Sequence, residues 1–284
     1  MEVISSLRVV QERADRLRRE GKRIGVVPTM GYLHEGHLSL IKLAKQQSDV
    51  VITTIFVNPT QFGPEEDFER YPRDLERDRN LAQEAGTDIL FTPEAKAMYP
   101  EGYRTYVEVT EVSSILEGKI RPTHFRGVTT VVAKLLNLTK PHVAVFGQKD
   151  AQQAFIIRQM VRDLNIDTEI AVAPIVREAD GLAMSSRNVY LSPQQRKNAL
   201  SLYRSLQYAK ATIEAGERSV SALRKGMEDL LRKSEPTRID YIAFLKPETF
   251  QEVELLKPPS VLIALAVRFG STRLLDNILI DIPS

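Results

Sequence analysis

The chain has 284 residues, of which 43% are hydrophobic and 27% are charged, a balance typical of a globular protein with a sizeable apolar core. Lysine and arginine number 39 against 37 aspartates and glutamates. Because the two signs are interspersed, we expect no dedicated nucleic-acid surface. The chain contains no cysteine, which excludes disulfides, thiolate zinc sites and a thiol nucleophile.

The N-terminal stretch MEVISSLRVVQERADRLRRE contains no apolar signal core. Its acidic residues also argue against a transit peptide. No apolar run approaches the length that a membrane-spanning helix requires. We therefore expect a cytoplasmic protein without a membrane partner.

Strands and helices alternate through roughly the first 175 residues. A helix capped by Ser5 or Ser6 and ending at Gly21 precedes the short apolar strand IGVVP. HLSLIKLAKQQ then predicts an amphipathic helix with Leu38 and Ile41 facing inward. The β-branched run DVVITTIFV is typical of a strand buried on both faces.

The same alternation continues along the chain. It comprises the helix RDLERDRNLAQEAG, the strand DILF, the helix VTTVVAKLLNLTK, the strand HVAVF, the helix AQQAFIIRQMVRDL and the extended run TEIAVAPIV. This order predicts an α/β fold with a parallel sheet and helices on both faces. Beyond Asn188, long helical segments precede the strands DYIAFL and SVLIALAV, which predicts a second, smaller α+β domain.

Ligands of parallel sheets bind beyond the carboxyl ends of the strands. The loop after IGVVP contains Gly31, Gly36 and His37 at the spacing of a phosphate-binding G-x-x-x-x-G-K-[ST] loop. His37 replaces the lysine and Leu38 replaces the hydroxyl residue that ligates magnesium, so the standard ATPase interpretation is rejected. The glycines still allow close backbone approach to a ligand, and a helix start attracts an anion.

His34 and His37 are two of only four histidines in the chain. At a helix N-terminus, neutral imidazoles can donate hydrogen bonds to phosphate oxygens as charge develops in a transition state. The alternative is that they only satisfy the helix start. No third histidine lies near in the sequence, so a metal site fits poorly.

Two later segments offer further anion-binding groups. Lys149 in GQKD is placed against a helix dipole, which suggests a bound anion, although a surface lysine is the alternative. In READGLAMSSRNVYLS, two serines and Arg187 can wrap a polyphosphate. A polar hinge between domains is the other interpretation of that segment, and both can hold.

Two sets of polar side chains, one near residue 60 and one near residue 124, suggest that a second ligand binds. Asn58 and Gln61 carry neutral amides after DVVITTIFV, although turn chemistry is a strong alternative for Asn58 before its proline. Arg121, His124 and Arg126 form a cationic cluster suitable for a carboxylate or a pyrophosphate.

The turn and the Met-Ser-Ser-Arg segment together resemble the HIGH-type nucleotidylyltransferase superfamily. Within it, the chain resembles the pantoate–β-alanine ligase (pantothenate synthetase) family through VPTMGYLHEGH, IFVNPTQF, YPRD, FTP…MYP, THFRGV, FGQKDAQQ and READGLAMSSRN. The match runs from about residue 20 to RLLDN near Asp276. Each motif alone is weak, but this order of motifs is very specific. DYIAFLKPETF departs from the more acidic run of the family, which leaves packing and lid detail open.

The resemblance implies a two-step ligase of pantothenate and coenzyme A biosynthesis. Pantoate would attack ATP with magnesium assisting, giving pantoyl adenylate and pyrophosphate, and β-alanine would then release AMP and pantothenate. The family implies a cytoplasmic homodimer. It also implies a Rossmann-like ATP- and pantoate-binding domain over residues 1–175 and a smaller α+β lid domain over residues 176–284.

The resemblance also implies site residues. His37 would be the proton-donating catalyst, assisted by His34, Lys149, Ser186 and Arg187. Gln61 would bind pantoate and β-alanine, Gln153 would bind pantoate, and no residue would be a metal ligand. The nucleotide-binding positions implied are Met30, Gly31, Tyr32, Leu33, His34, Glu35, Gly36, His37, Gly147, Gln148, Lys149, Asp150, Val176, Met184, Ser185, Ser186 and Arg187.

Three rival functions share parts of this pattern. A simple nucleotidylyltransferase would share the histidine turn but would not explain NPTQF, GQKDAQQ or the second domain. An aminoacyl-tRNA synthetase would share the adenylate chemistry, but no segment resembles a tRNA-binding region. A non-catalytic nucleotide sensor would bind ATP without turnover, although all the donors suited to catalysis are present.

Overall fold

The computed structural model describes residues 1–64 and 66–282. The chain divides into two compact units. The first unit comprises Met1–Gln148 and Gln152–Pro174, and the second comprises Lys149–Ala151 and Ile175–Ser284. The chain therefore enters the second unit for three residues, returns to the first, and leaves it finally after Pro174.

The first unit contains a six-stranded sheet and its flanking helices. Its strands are β1 (Glu2–Ile4), β2 (Ile24–Thr29), β3 (Val50–Ile55), β4 (Ile89–Phe91), β5 (Val143–Gly147) and β6 (Glu169–Ala173). The helices are α1 (Leu7–Arg19), α2 (Glu35–Gln47), α3 (Leu75–Ala85), α4 (Ala95–Met98), α5 (Glu117–Ile120), α6 (His124–Thr139) and α7 (Ala151–Asp163), with short 3-10 helices at Pro59–Gln61 and Val112–Ser114. A further 3-10 helix spans Gln148–Asp150, of which Lys149 and Asp150 group with the second unit.

All pairings in this sheet are parallel, in the order β1-β4-β3-β2-β5-β6. Side chains alternate between two cores, because successive strand residues point to opposite faces. Val26 and Ile52 pack in one core with residues of α1 and α6, whereas Val27 and Val51 pack in another with residues of α2 and α3. The predicted parallel sheet with helices on both faces is therefore confirmed.

Residues that favour the start or the end of a helix lie at several helix ends. Ser6, rather than Ser5, caps α1, and its hydroxyl accepts a hydrogen bond from the Val9 amide. Gly86 ends α3 at a φ of 106°, a left-handed conformation that glycine adopts without steric cost. Pro59 occupies the first turn of the 3-10 helix Pro59–Gln61, where its missing N–H is not needed.

The second unit is an α+β structure, as predicted. It contains a 3-10 helix at Ser186–Tyr190, the helices α8 (Pro193–Glu214) and α9 (Val220–Arg232), and the strands β7 (Arg238–Leu245), β8 (Ser260–Phe269) and β9 (Thr272–Asp281). The strands form an antiparallel sheet in the order β7-β8-β9. Every second residue of β8 from Val261 to Val267 joins the core formed with α8 and α9.

The strand order creates a switch point beside β2. The connection after β2 leads to β3 on one side, whereas β5 pairs with β2 on the other side. Open α/β sheets bind ligands in the crevice outside the strand ends at such a point. Among residues 1–64 and 66–282, none of the helices is long and apolar enough to cross a membrane.

Candidate active site

The loop after β2 has an unusual backbone. Gly31 has a φ of 85° and Tyr32 a φ of 49°, both in the left-handed region. The hydroxyl of Thr29 accepts a hydrogen bond from the Gly31 amide at 3.2 Å and donates one to the Thr54 carbonyl at 2.7 Å. The loop is thereby attached to β3 where it leaves the sheet.

His34 and His37 form a reciprocal cap at the start of α2. The Nδ1 atom of His34 accepts from the Gly36 amide at 3.1 Å, and that of His37 accepts from the His34 amide at 3.3 Å. The ring centroids lie 4.1 Å apart. Because each Nδ1 accepts a hydrogen bond, the neutral rings carry their protons on Nε2. The histidines thus satisfy the helix start and still supply Nε2–H donors.

Asp78 contributes to this loop although the sequence analysis did not single it out. Its carboxylate accepts from the amides of Tyr32 at 2.6 Å and Leu33 at 2.7 Å. The available signal was an acidic residue on the buried face of α3, at helical spacing from Ala82 and Ala85.

Gln61 lies beside the same loop. Its side chain is 8% exposed, and its Nε2 donates to the Met30 sulfur at 3.0 Å. Asn58 fixes the other end of that amide by donating to Gln61 Oε1 at 3.1 Å. The turn interpretation of Asn58 is confirmed, because it is buried and its Oδ1 accepts from the amide and hydroxyl of Thr60 and from Tyr99.

Gly127 allows this segment to pack directly on α6. A Cβ at Gly127 would lie 2.3 Å from the Thr60 carbonyl oxygen and 2.7 Å from the Gln61 Cα. The Asn58 side chain also donates to the Gly127 carbonyl at 3.1 Å. The placement of Gln61 therefore depends on the absence of a side chain at residue 127.

Gly127→Ala should destabilise the protein by about 1–3 kcal/mol, the usual cost of overpacking. In an unobstructed helix interior the same change would stabilise by roughly 0.5–1 kcal/mol, so the direction of the effect is informative. The measurement is the free energy of unfolding in urea. Asn137→Ala, on the exposed side of α6, is the control and should be neutral or slightly stabilising. Equal stability of the two variants would contradict this packing.

The cationic cluster predicted near residue 121 is partly neutralised. Arg121 pairs with Glu66 through Nε at 2.8 Å and Nη2 at 2.5 Å, and Nη2 also reaches the Gln61 carbonyl at 3.2 Å. The Nδ1 atom of His124 lies 2.9 Å from the same carbonyl. Burial alone would raise the pKa of Glu66, but the hydrogen bond and charge of Arg121, with His124, hold that pKa below its ordinary value. Arg121 and His124 thus fix the backbone of Gln61.

Acidification should remove the stabilisation that Glu66 provides. Because its pKa is lowered on folding, the contribution is complete above the unfolded pKa and is lost as pH falls through the folded pKa. We expect the stability difference between the parent and Glu66→Gln to be largest near pH 7 and to shrink toward about pH 3. Urea titrations across this range measure it. A difference that stays constant would show that Glu66 is not ionised in the folded state.

In the second unit, the Met-Ser-Ser-Arg segment (residues 184–187) begins at the end of a hairpin in which Arg177 pairs with Ala183. The amide of Met184 donates to the Val176 carbonyl at 3.0 Å. Arg177 forms a bidentate pair with Asp276 at 2.7 and 2.8 Å, and also donates to the Gly181 carbonyl. The Asp276 side chain is only 1% exposed. This buried pair attaches the hairpin to β9.

The serines follow directly after this hairpin. The Ser185 hydroxyl accepts from the Arg187 amide at 3.3 Å and caps the 3-10 helix Ser186–Tyr190. Ser186 is buried within that helix. Asn188 attaches the same 3-10 helix to the preceding segment, because its side-chain amide donates to Glu178 at 3.0 Å and to the Ala183 carbonyl at 3.1 Å. The second unit therefore presents Ser186 and Arg187 from an anchored turn.

Lys149 and Asp150 also group with the second unit. The Lys149 carbonyl accepts from Asn277 at 2.9 Å, and its ammonium lies 3.5 Å from the Asp150 carboxylate. The Lys149 side chain is 22% exposed, so it is not a fully solvated surface lysine.

The remaining predicted residues belong to the first unit. Gly147 ends β5 opposite Ala173 of β6, and Gln148 follows it. Gln153 lies half-buried on α7. Its neighbour Gln152, which the sequence analysis did not single out, accepts from the Glu117 amide and donates to the carbonyls of Val112 and Ile115. Nothing in the sequence distinguishes these two glutamines.

A cluster able to hold a resident metal ion is not found in the part of the chain that the structure describes, where no three His, Asp or Glu side chains converge. Lys149 and Arg187 of the second unit carry positive charge, and the histidines of the first unit carry N–H donors. They suit the oxygens of an anionic substrate.

Comparison with known proteins extends these observations. The family model described as pantoate-beta-alanine ligase matches residues 2–279. The chain is 55% identical to the pantothenate synthetase of Caldicellulosiruptor saccharolyticus over 282 residues, which cover 99% of this chain and 100% of that protein.

Solved structures agree over the same length. Pantothenate synthetase from Thermus thermophilus superposes with a TM-score of 0.93 at 46% identity, covering 98% of this chain and 99% of that one. Pantoate-beta-alanine ligase from Francisella tularensis, complexed with beta-gamma ATP and beta-alanine, superposes with a TM-score of 0.81 at 37% identity, covering 98% and 97%.

Proposed function

Because this chain belongs to the pantoate–β-alanine ligase family and joins pantoate to β-alanine at the expense of ATP, we propose that it works through an acyl adenylate. A pantoate carboxylate oxygen attacks the α-phosphorus, and the bond to the bridging oxygen of pyrophosphate breaks. The amine of β-alanine then attacks the acyl carbon, loses a proton and displaces AMP. The products are pantothenate, AMP and pyrophosphate.

The observation that carries this mechanism is the capped histidine pair. Negative charge builds on the α-phosphate oxygens and on the departing pyrophosphate during adenylation. His34 and His37 use Nδ1 for the helix start, so each presents an Nε2–H donor beside the N-terminus of α2. Fixed donors of this kind stabilise developing charge without reorganisation. We assign to His37 the Nε2–H hydrogen bond that stabilises the negative charge on the departing pyrophosphate.

The other residues receive roles consistent with their positions in each unit. In the first unit, residues 30–37, Gly147 and Gln148 bind ATP, Gln61 orients pantoate and β-alanine, and Gln153 binds pantoate. In the second unit, Lys149, Asp150 and Val176 contact the nucleotide, and residues 184–187 bind its phosphates. The Francisella tularensis relative, complexed with beta-gamma ATP and beta-alanine, supports ATP and β-alanine as ligands of this chain.

Three further features of the proposal rest on family resemblance. Magnesium enters as part of the Mg·ATP substrate, since Mg²⁺ commonly bridges substrate phosphates while keeping several waters. The protein forms a homodimer, which light scattering coupled to gel filtration tests directly. It acts in the cytoplasm.

Product analysis tests the mechanism. Purified protein is incubated with ATP, magnesium, pantoate and β-alanine, and each substrate is omitted in turn. We expect AMP and pyrophosphate only when pantoate is present, and pantothenate only when β-alanine is added. Formation of ADP and phosphate, or ATP binding without turnover, would exclude the adenylate route.

A further inference from the structure

Asp78 is a buried carboxylate whose two oxygens are directed at the loop after β2. It is 1% exposed, and Oδ2 and Oδ1 accept from the amides of Tyr32 and Leu33 at 2.6 and 2.7 Å. These are short, charge-assisted hydrogen bonds, the stronger kind in proteins. They connect α3 to the loop across more than forty residues of sequence.

The loop adopts a backbone that needs such support. Tyr32 has a φ of 49°, which disfavours any residue with a Cβ, and it follows Gly31 at 85°. Sparsely populated conformations persist where the surrounding structure over-determines them, and they cluster at functional sites. The neighbouring Arg77 adds a second restraint, because its guanidinium lies 5.1 Å from the Tyr32 ring centroid.

There is no room for the loop to shift toward α3. A Cβ on Gly31 would lie 2.9 Å from Asp78 Oδ2 and 3.0 Å from the Ile55 side chain. Burial raises the pKa of Asp78 although the two amides and Arg77 act to lower it. Desolvation therefore disfavours the ionised form of this carboxylate, while the two backbone N–H donors favour it.

We propose that Asp78 is a positioning residue for adenylation. By holding the amides of Tyr32 and Leu33, it fixes the backbone from which His34 begins α2, and so sets where the paired imidazoles meet the phosphates of ATP. This inference rests on the proposed function only in assigning ATP to that loop. It adds a residue that makes no contact with substrate.

The test is Asp78→Asn, which keeps the shape but replaces one acceptor oxygen with an NH₂ group facing a backbone N–H. We expect kcat/KM for ATP in adenylate formation to fall about 10- to 100-fold, the range for a disrupted buried hydrogen bond to a charged group. The KM for β-alanine, measured with pantoyl adenylate supplied, should stay within about twofold of the parent. The melting temperature should fall by a few degrees at most, because one backbone amide loses its acceptor while a disfavoured buried charge is removed.

Asp74→Asn is the matched control on the same helix. Asp74 caps α3 by accepting from the Arg77 amide at 3.1 Å, and asparagine caps a helix equally well. Activity and melting temperature should therefore remain at parent values. If every kinetic constant of Asp78→Asn, including the KM for β-alanine, were impaired to the same extent, Asp78 would be only structural and the proposal would be overturned.

A second variant examines the same contact from the loop. Gly31→Ala places a methyl group against Asp78 Oδ2, at a φ of 85° that also strains any Cβ, and should weaken ATP binding. If both changes act through one contact, the double variant should be within about threefold of the worse single variant rather than the product of both.

Binding of a non-hydrolysable ATP analogue separates this inference from the proposed mechanism. Calorimetry should show weaker binding to Asp78→Asn and Gly31→Ala than to the parent, whether or not the parent makes pantothenate. Unchanged binding and unchanged adenylation by both variants would overturn the positioning role, while a parent that lacks ligase activity would overturn only the adenylate mechanism.

Discussion

His37→Gln should lower the rate of pantoyl adenylate formation by about two to three orders of magnitude, the usual cost of removing one preorganised donor to a developing oxyanion. Glutamine three residues after the cap residue can accept from the His34 amide as His37 Nδ1 does, because Glu and Gln are the usual residues at this place in a capping box. The start of α2 should therefore survive, while the imidazole Nε2–H donor is lost.

His34→Asn provides the companion variant. Asparagine is among the most favourable N-cap residues, so α2 should be at least as stable as in the parent. Pyrophosphate release in single-turnover experiments measures adenylation, and thermal unfolding measures the cap. We expect both variants to retain the parent melting temperature within a few degrees. Parent-like adenylation in His37→Gln would refute the assignment, since only the imidazole has been removed.

Asp276→Asn should destabilise the second unit by about 3–5 kcal/mol, the cost of leaving one member of a buried ion pair without its partner. The Arg177 guanidinium would then face a neutral amide at a position where Asp276 is almost completely buried. Loss of this pair also frees the hairpin that precedes Ser186 and Arg187. We expect weaker ATP binding along with a lower urea midpoint.

A paired replacement separates charge from packing in this prediction. Arg177→Met combined with Asp276→Leu removes both charges and fills the space with apolar atoms, which is often neutral or stabilising for buried pairs. The double variant should therefore recover most of the stability lost in Asp276→Asn. If it is no more stable than Asp276→Asn, the loss does not arise from the unpaired guanidinium.

The fold was largely predictable because its signals are local. Each strand of the first unit beyond β1 appears in the sequence as an apolar run, and Ser6 and Gly86 mark element ends in the expected way. β1 was missed because it has only three residues and depends on pairing with β4. β9 was missed because charged and amide side chains interrupt its apolar pattern.

The candidate site was predictable only where neighbours in sequence are also neighbours in space. His34 and His37 lie in one turn, so their pairing follows from the sequence. Asp78 and Gln152 act through backbone groups of distant segments, and a single sequence carries no signal for such partners. The roles of Gln153 and Val176 came from family resemblance alone.

The grouping of Lys149–Ala151 with the second unit has a consequence for the order of synthesis. The Lys149 carbonyl obtains its hydrogen bond from Asn277, 128 residues later in the chain. Domains generally fold from the N-terminus as the chain leaves the ribosome. The histidine turn can therefore form early, whereas the backbone of Lys149 must wait until β9 has emerged. In a nascent chain, His34 and His37 can therefore reach their folded positions long before the backbone of Lys149 does.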